Sequence, residues 1–103
     1  MSKKVKNITL FKHSGKVAHR KLGDETLLVP IDIKAGEKHG VYTLNSTATL
    51  LWNFLEIERS VEDLAIFVAN EFEIDEQTAT SDAEVFIEDL ISFNALSVLE
   101  RSL

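Results

Sequence analysis

The side chains that could carry chemistry are few in this sequence, and their spacing fits no catalytic or metal-binding pattern. The chain has no cysteine, and its three histidines, His13, His19 and His39, form no i,i+4 pair of the kind that holds a metal on one helix. There is no Gly-x-Ser-x-Gly turn, and the four glycines form no phosphate-binding loop. The carboxylates between residues 82 and 89 are typical of a solvated helix face. We therefore predict no catalytic residue, no metal site, no cofactor, and histidines that lie at the surface.

Length and composition indicate a single globular domain. The chain has 103 residues, of which 45% are hydrophobic, enough for one core. No apolar stretch is long enough to span a membrane, and no signal peptide follows the charged N-terminal residues. We expect a cytoplasmic protein with no membrane partner.

Charge is distributed unevenly along the chain. Residues 1–21 carry seven Lys or Arg and no acid, whereas residues 56–103 carry thirteen Asp or Glu and only two Arg. The acidic second half would repel DNA or RNA, because nucleic-acid affinity depends on cations that neutralise phosphates. We predict no nucleic-acid partner, and a basic flexible tail over residues 1–16, with a hint of a strand at Ile8–Phe11.

The hydrophobic period changes near residue 45 from that of strands to that of helices. β-forming residues and turns predict strands near 17–22, 26–33 and 41–44. Apolar residues at helical spacing then predict helices near 46–56, 61–72 and 77–93. The fold class is α+β and winged-helix-like, a three-stranded antiparallel sheet followed by three helices. Six residues are predicted to be buried: Leu51, Trp52, Leu64, Val68, Phe86 and Leu90.

Short polar sequences predict where the helices begin and end. Asn45 or Ser46 can cap the first helix, and Ser60 with Asp63 resembles a capping box for the second. Asn94 is suited to the left-handed conformation that ends many helices.

Two features of the predicted surface favour peptide binding. The third strand is short and can lie at a sheet edge, where unpaired backbone groups can accept an added strand. The third helix carries Val85 opposite its core stripe, and exposed apolar area often marks an interface. The predicted peptide-binding residues are Val41, Tyr42, Thr43, Leu44, Val85, Glu88, Asp89 and Ser92. The other flank of the helix, near Glu84 and Ile91, and a homodimer through strand edges remain open alternatives.

Several segments, taken in order, resemble the PqqD family, named for pyrroloquinoline quinone (PQQ) biosynthesis. They are Gly23–Pro30, Val41–Ala48 with Leu51-Trp52 and Leu55, Ser60–Ala65, and Asp82, Phe86-Ile87, Leu90 and Leu96. The resemblance covers residues 17–99, which we take as the recognition domain.

The resemblance implies both a function and partners. Domains of this family bind the leader of a ribosomally made precursor peptide as a strand added beside the third strand, in a cleft walled by the third helix. They present it to a modifying enzyme, often a radical SAM maturase, and have no catalysis or cofactor of their own. Ile57 and Asn94 stand where the family usually has glycine, and the Pro-Glu-Gly after the second strand is missing. These departures favour the broad family of peptide-modification pathways over the PQQ pathway protein itself.

Two other functions fit part of the pattern. A winged-helix DNA-binding protein would share the helices, but its recognition helix should carry basic or amide side chains and here that helix is acidic. A non-catalytic adaptor subunit that binds a folded protein, rather than a peptide, remains an alternative.

Overall fold

The computed structural model describes residues 7–31 and 40–102 of the chain. Within these residues, five strands and three helices follow one another as β1 (Asn7–His13), β2 (Val17–Leu22), β3 (Glu25–Pro30), β4 (Tyr42–Leu44), α1 (Ser46–Phe54), α2 (Val61–Phe72), α3 (Glu76–Ser92) and β5 (Leu96–Ser102). The predicted α+β class is confirmed: an antiparallel sheet of β2, β3 and β4 precedes the three helices. Residues 32 and 33 of the predicted second strand, and His39, lie outside the described residues.

The three-stranded sheet is built from a hairpin and one short strand. A two-residue turn joins β2 to β3, and Gly23 takes a φ of 67° there, a conformation open to glycine without steric cost. Strand β4 pairs with the other side of β3, with Tyr42 opposite Leu28 and Leu44 opposite Thr26. The sheet order β2-β3-β4 therefore puts β4 at an edge.

The ends of the helices are set by the polar residues that the sequence indicated. The Asn45 side chain accepts a hydrogen bond from the Ala48 amide at 2.8 Å. Ser60 and Asp63 form the full capping box at the start of α2. Asn94 has a φ of 60° after α3, and the Ala95 amide donates to the Leu90 carbonyl at 2.8 Å. This is the bonding pattern of a Schellman turn.

One core joins the sheet to the helices. Five of the six residues predicted to be buried are so: Leu51, Trp52, Leu64, Val68 and Leu90. The prediction for Phe86 was wrong, because this residue is only partly buried and packs against the edge of the core. Buried Leu28 and Leu44 cover the helices from the sheet side. In the part of the chain that the structure describes, no helix is long and apolar enough to cross a membrane.

The N-terminal segment differs from the prediction of a tail. Within the predicted tail of residues 1–16, Asn7–His13 forms β1, which pairs antiparallel with β5 along its whole length. Phe11 also exchanges two backbone hydrogen bonds with Arg59, at 2.7 and 3.0 Å. The partner strand lies at the other end of the sequence, so the local pattern of residues 8–11 could only hint at it.

Candidate functional site

Strand β4 offers one side of its backbone for pairing. It pairs with β3, and no other described strand pairs with its opposite side. Its side chains alternate: Leu44 is buried in the core and Tyr42 is partly buried, whereas Thr43 is exposed. Val41, just before the strand, is 57% exposed. The edge is therefore accessible while its inward side chains anchor the strand to the core.

Two cavities lie where β4 and the start of α1 meet α3. The first, of about 410 Å³, is lined by Tyr42, Asp89, Ser92 and Phe93, and we call it the Tyr42 cavity. The second, of about 360 Å³, is the Val85 cavity, and its lining residues are Asn45, Thr47, Ala48, Leu51, Asp82, Val85, Phe86 and Asp89. Because Asp89 lines both, the two cavities are neighbours, and together we call them the cleft.

Aromatic contact fixes the end of the cleft nearer the C-terminus of α3. The rings of Tyr42 and Phe93 lie 5.4 Å apart at an interplanar angle of 60°, a favourable tilted arrangement. Burial, and then the negative charge of Asp89, raise the pKa of the Tyr42 hydroxyl above its usual range, since both disfavour the phenolate. Asp89 is thus close enough to Tyr42 for its charge to be felt in this cavity.

Four of the eight predicted peptide-binding residues line the cleft: Tyr42, Val85, Asp89 and Ser92. Of the others, Leu44 is a core residue, Val41 and Thr43 lie on the outward side of the β4 segment, and Glu88 is exposed but lines neither cavity. The structure therefore brings three predicted residues of α3, Val85, Asp89 and Ser92, together with Tyr42 of β4 in one cleft.

Sequence reasoning missed the part of the cleft contributed by α1. Ala48 and Leu51, one turn apart, line the Val85 cavity together with Phe86 and Asp82. A signal was present, because the apolar residues of this helix cover more of its circumference than one packed face needs. Phe93, which lines the Tyr42 cavity, was also not among the predicted peptide-binding residues.

The histidines in the described part of the chain do not form a metal site. No three His, Asp or Glu side chains among residues 7–31 and 40–102 gather as metal ligands. The His13 ring stacks on Trp52 with centroids 3.6 Å apart, and its Nε2–H donates to the Trp52 carbonyl at 2.7 Å. The Trp52 indole N–H donates to His19 Nδ1 at 2.8 Å. These contacts hold β1 and β2 against α1.

The structure corrects the surface placement predicted for His13. Its ring is partly buried, and burial lowers the pKa of His13, with a further lowering by His19 and opposing contributions from the Trp52 carbonyl and Glu56. His19 is exposed, as predicted.

Comparisons with known proteins agree with this architecture. The family model for Coenzyme PQQ synthesis protein D (PqqD) matches residues 33–93. Among solved structures, the chain is similar to TbiB1 in complex with the TbiA(beta) leader peptide, with 22% identity and a TM-score of 0.69, over 84% of this chain and 94% of that chain. Likeness at this identity shows a shared fold. No curated protein sequence gives a significant match. Because the family model matches more than half of the chain, the protein belongs to the PqqD family, as its sequence motifs indicated.

Proposed function

We propose that this protein is a recognition domain that binds the leader of a precursor peptide at β4 and presents it to a modifying enzyme. Membership of the PqqD family supports the proposal, since this is a family of non-catalytic peptide-binding chaperones. So does the fold shared with TbiB1, which was solved with a leader peptide bound. A radical SAM maturase is the enzyme we expect as partner.

The observation that carries the proposal is the edge of β4 with which no described strand pairs, beside a cleft. An extended peptide added to β4 would satisfy the outward backbone groups of the strand and its own at the same time. Side chains on the peptide face turned toward α3 would enter the cleft, where partly apolar walls can exclude water. Hydrogen bonds to the backbone would then supply pairing, and the cleft would supply selection.

Binding can be tested with the leader encoded by a short reading frame near the gene. We expect saturable one-to-one binding in titration calorimetry, and slower hydrogen exchange of the outward β4 amides when the leader is present. A peptide of the same composition in scrambled order is the control. Leader binding that leaves the β4 amides unprotected would contradict the augmentation mechanism.

Presentation to an enzyme needs a second assay. We expect the neighbouring maturase to modify the precursor faster when this protein is added, and a β4 variant that no longer binds the leader to lose that effect. If the protein bound the maturase tightly but never the leader, the adaptor function toward a folded partner would replace our proposal.

A further inference from the structure

The two cavities of the cleft differ in the chemistry of their walls. The Val85 cavity has a mainly apolar wall formed by Ala48, Leu51, Val85 and Phe86. Leu51 is buried, and Val85 remains 54% exposed. Apolar area of this kind gains most from covering by an apolar side chain.

The Tyr42 cavity instead combines two aromatic rings with a carboxylate. Tyr42 and Phe93 supply the rings, and Asp89 and Ser92 supply the oxygen atoms. A cation gains from aromatic faces and from a carboxylate, and the planar guanidinium of Arg can stack and form hydrogen bonds at once. No Lys, Arg or His within residues 7–31 and 40–102 forms a salt bridge with Asp89. Within the described residues, the Asp89 carboxylate is therefore available for an ion pair with a bound peptide.

Charge around the cleft argues in the same direction. Asp82 and Asp89 both line the Val85 cavity, and Asp89 is common to both cavities. No basic side chain is among the lining residues of either cavity. An acidic peptide would be repelled here, whereas a basic one would be attracted over the whole cleft.

For a peptide strand that runs along α3, the separation of the cavities sets the spacing of the side chains that would fill them. On α3, the lining residues of the Tyr42 cavity (Asp89, Ser92 and Phe93) are centred about six positions after those of the Val85 cavity, which corresponds to about 9 Å. Side chains on one face of a strand recur at about 7 Å for i,i+2 and about 13 Å for i,i+4. The i,i+2 spacing is the nearer match.

We propose that the leader recognised by this protein carries an Arg or Lys and a large apolar residue separated by one position, with the cation in the Tyr42 cavity against Asp89 and the apolar side chain in the Val85 cavity. This rests on the proposed function, and it names the class of peptide that the site takes: a basic, amphipathic extended segment. The occupant is a peptide and not a nucleic acid, because the cleft is acidic.

Short acetylated peptides of alternating Thr and Val, identical except at two positions i and i+2, provide a probe that does not depend on the natural leader. We expect the peptide with Arg and Leu at these positions to bind more tightly than the peptide with Glu and Leu, by about tenfold or more at low salt. It should also bind about fivefold more tightly than the peptide with Arg and Ser, which is the gain for one half-buried aliphatic side chain. Equal binding of the Arg and Glu peptides would overturn the proposal. Failure of every peptide in the panel, while the natural leader binds, would also overturn it.

A matched pair of variants on α3 tests the role of Asp89. Asp89→Asn is expected to weaken binding of the Arg peptide by about fivefold, in keeping with one partly exposed ion pair. It should leave unchanged the binding of the same peptide with Gln in place of Arg. Glu88→Gln removes the same charge one residue earlier, outside both cavities, and should change neither. If the two variants weakened binding of the Arg peptide equally, the effect would come from the overall negative charge of α3 and not from a specific contact between Asp89 and the cation.

The hydroxyl of Tyr42 gives a direct spectroscopic readout, because it is the single tyrosine of the chain. Burial, and then the charge of Asp89, raise the pKa of Tyr42, so Asp89→Asn should lower it. Binding of the Arg peptide should give a lower Tyr42 pKa than binding of the same peptide with Gln in place of Arg, since both peptides bury the ring and only the cation favours the phenolate. Absorbance of the phenolate during alkaline titration measures both. A Tyr42 pKa that is the same with the Arg peptide bound as with its Gln counterpart bound would place the cation elsewhere.

The two proposals fail in different ways. If the natural leader does not protect the β4 amides, the proposed function fails. If the leader protects them but its affinity is the same for Asp89→Asn and wild type, only the inference about its side chains fails.

Discussion

Replacing Val85 by asparagine should weaken leader binding by about 2–4 kcal/mol, which corresponds to about 30- to 900-fold in the dissociation constant. Val85 lines its cavity and is 54% exposed in the free protein. Burying a whole valine side chain is worth about 1.5–3 kcal/mol, so covering the remaining half contributes about 1 kcal/mol. Asparagine loses that gain and adds an amide that an apolar side chain of the peptide would desolvate, at a further cost of about 1–3 kcal/mol.

Alanine at the same position separates these two contributions. Val85→Ala loses only apolar area and should weaken binding by about 1 kcal/mol, or about fivefold. Both variants should keep the melting temperature close to that of wild type, because the side chain is exposed on α3. Titration calorimetry with the leader measures the affinity, and thermal unfolding of the free proteins checks the fold.

Ile91 provides the matched control on the opposite flank of α3. It is 37% exposed and lines neither cavity, so Ile91→Asn should change leader affinity by less than about twofold. Loss of binding in Ile91→Asn with normal binding in Val85→Asn would move the groove to the flank of Glu84 and Ile91. If neither substitution mattered, a folded protein would be the better candidate for the partner.

Four further outcomes follow from contacts in the structure. Of Tyr42→Pro and Thr43→Pro, one should abolish leader binding with little change in melting temperature, and the other should disrupt pairing with β3. The reason is that only one of the two N–H groups points to the edge of β4 with which no described strand pairs. If both variants bound the leader, the β4 site would be contradicted. Leu90→Ala should lower the free energy of unfolding by about 2–5 kcal/mol in a denaturant titration, since Leu90 is fully buried, and a loss below about 1 kcal/mol would show that the core had been misjudged. Glu73→Gly should raise that free energy by about 0.5–1 kcal/mol because φ is 51° there, whereas an equal gain in Glu73→Ala would exclude this cause. Burial lowers the pKa of His13 in the folded protein, so protonation of His13 favours unfolding. The melting temperature should therefore fall as the pH drops below the ordinary histidine pKa of 6.5, and it should fall more steeply in wild type than in His13→Gln. The same dependence of melting temperature on pH in both proteins would refute this.

The helices could be predicted closely because their signals are local. The capping box at Ser60 and Asp63 sets the start of α2 within one turn of chain, and Asn94 marks the end of α3. Strand β1 could not be predicted with the same certainty, because the strand that pairs with it is formed by residues 96–102. Local sequence carries no record of such a distant partner.

The candidate site was half predictable for a similar reason. Position on the helix showed that Val85, Asp89 and Ser92 point away from the core stripe, and this needs only the helical period. That Ala48 and Leu51 complete the cleft depends on how α1 docks against α3, which no single helix specifies. Phe86 belongs to both surfaces, so its burial could not be judged from the core stripe alone.

The pairing of β1 with β5 bears on the order in which the protein folds. Thr9 and Glu100, which face each other, are 91 residues apart, and closing a loop of that length costs about 4 kcal/mol of chain entropy. The β2–β3 hairpin, closed by two residues, has almost no such cost. During synthesis β1 emerges before β5, so until β5 is made β1 is held by its contacts with the rest of the chain, among them the two Phe11–Arg59 hydrogen bonds and the stacking of His13 on Trp52. The cleft is formed by β4, α1 and α3 and does not need β1 to be paired with β5. We therefore expect pairing of these two strands to be a slow, late step of folding.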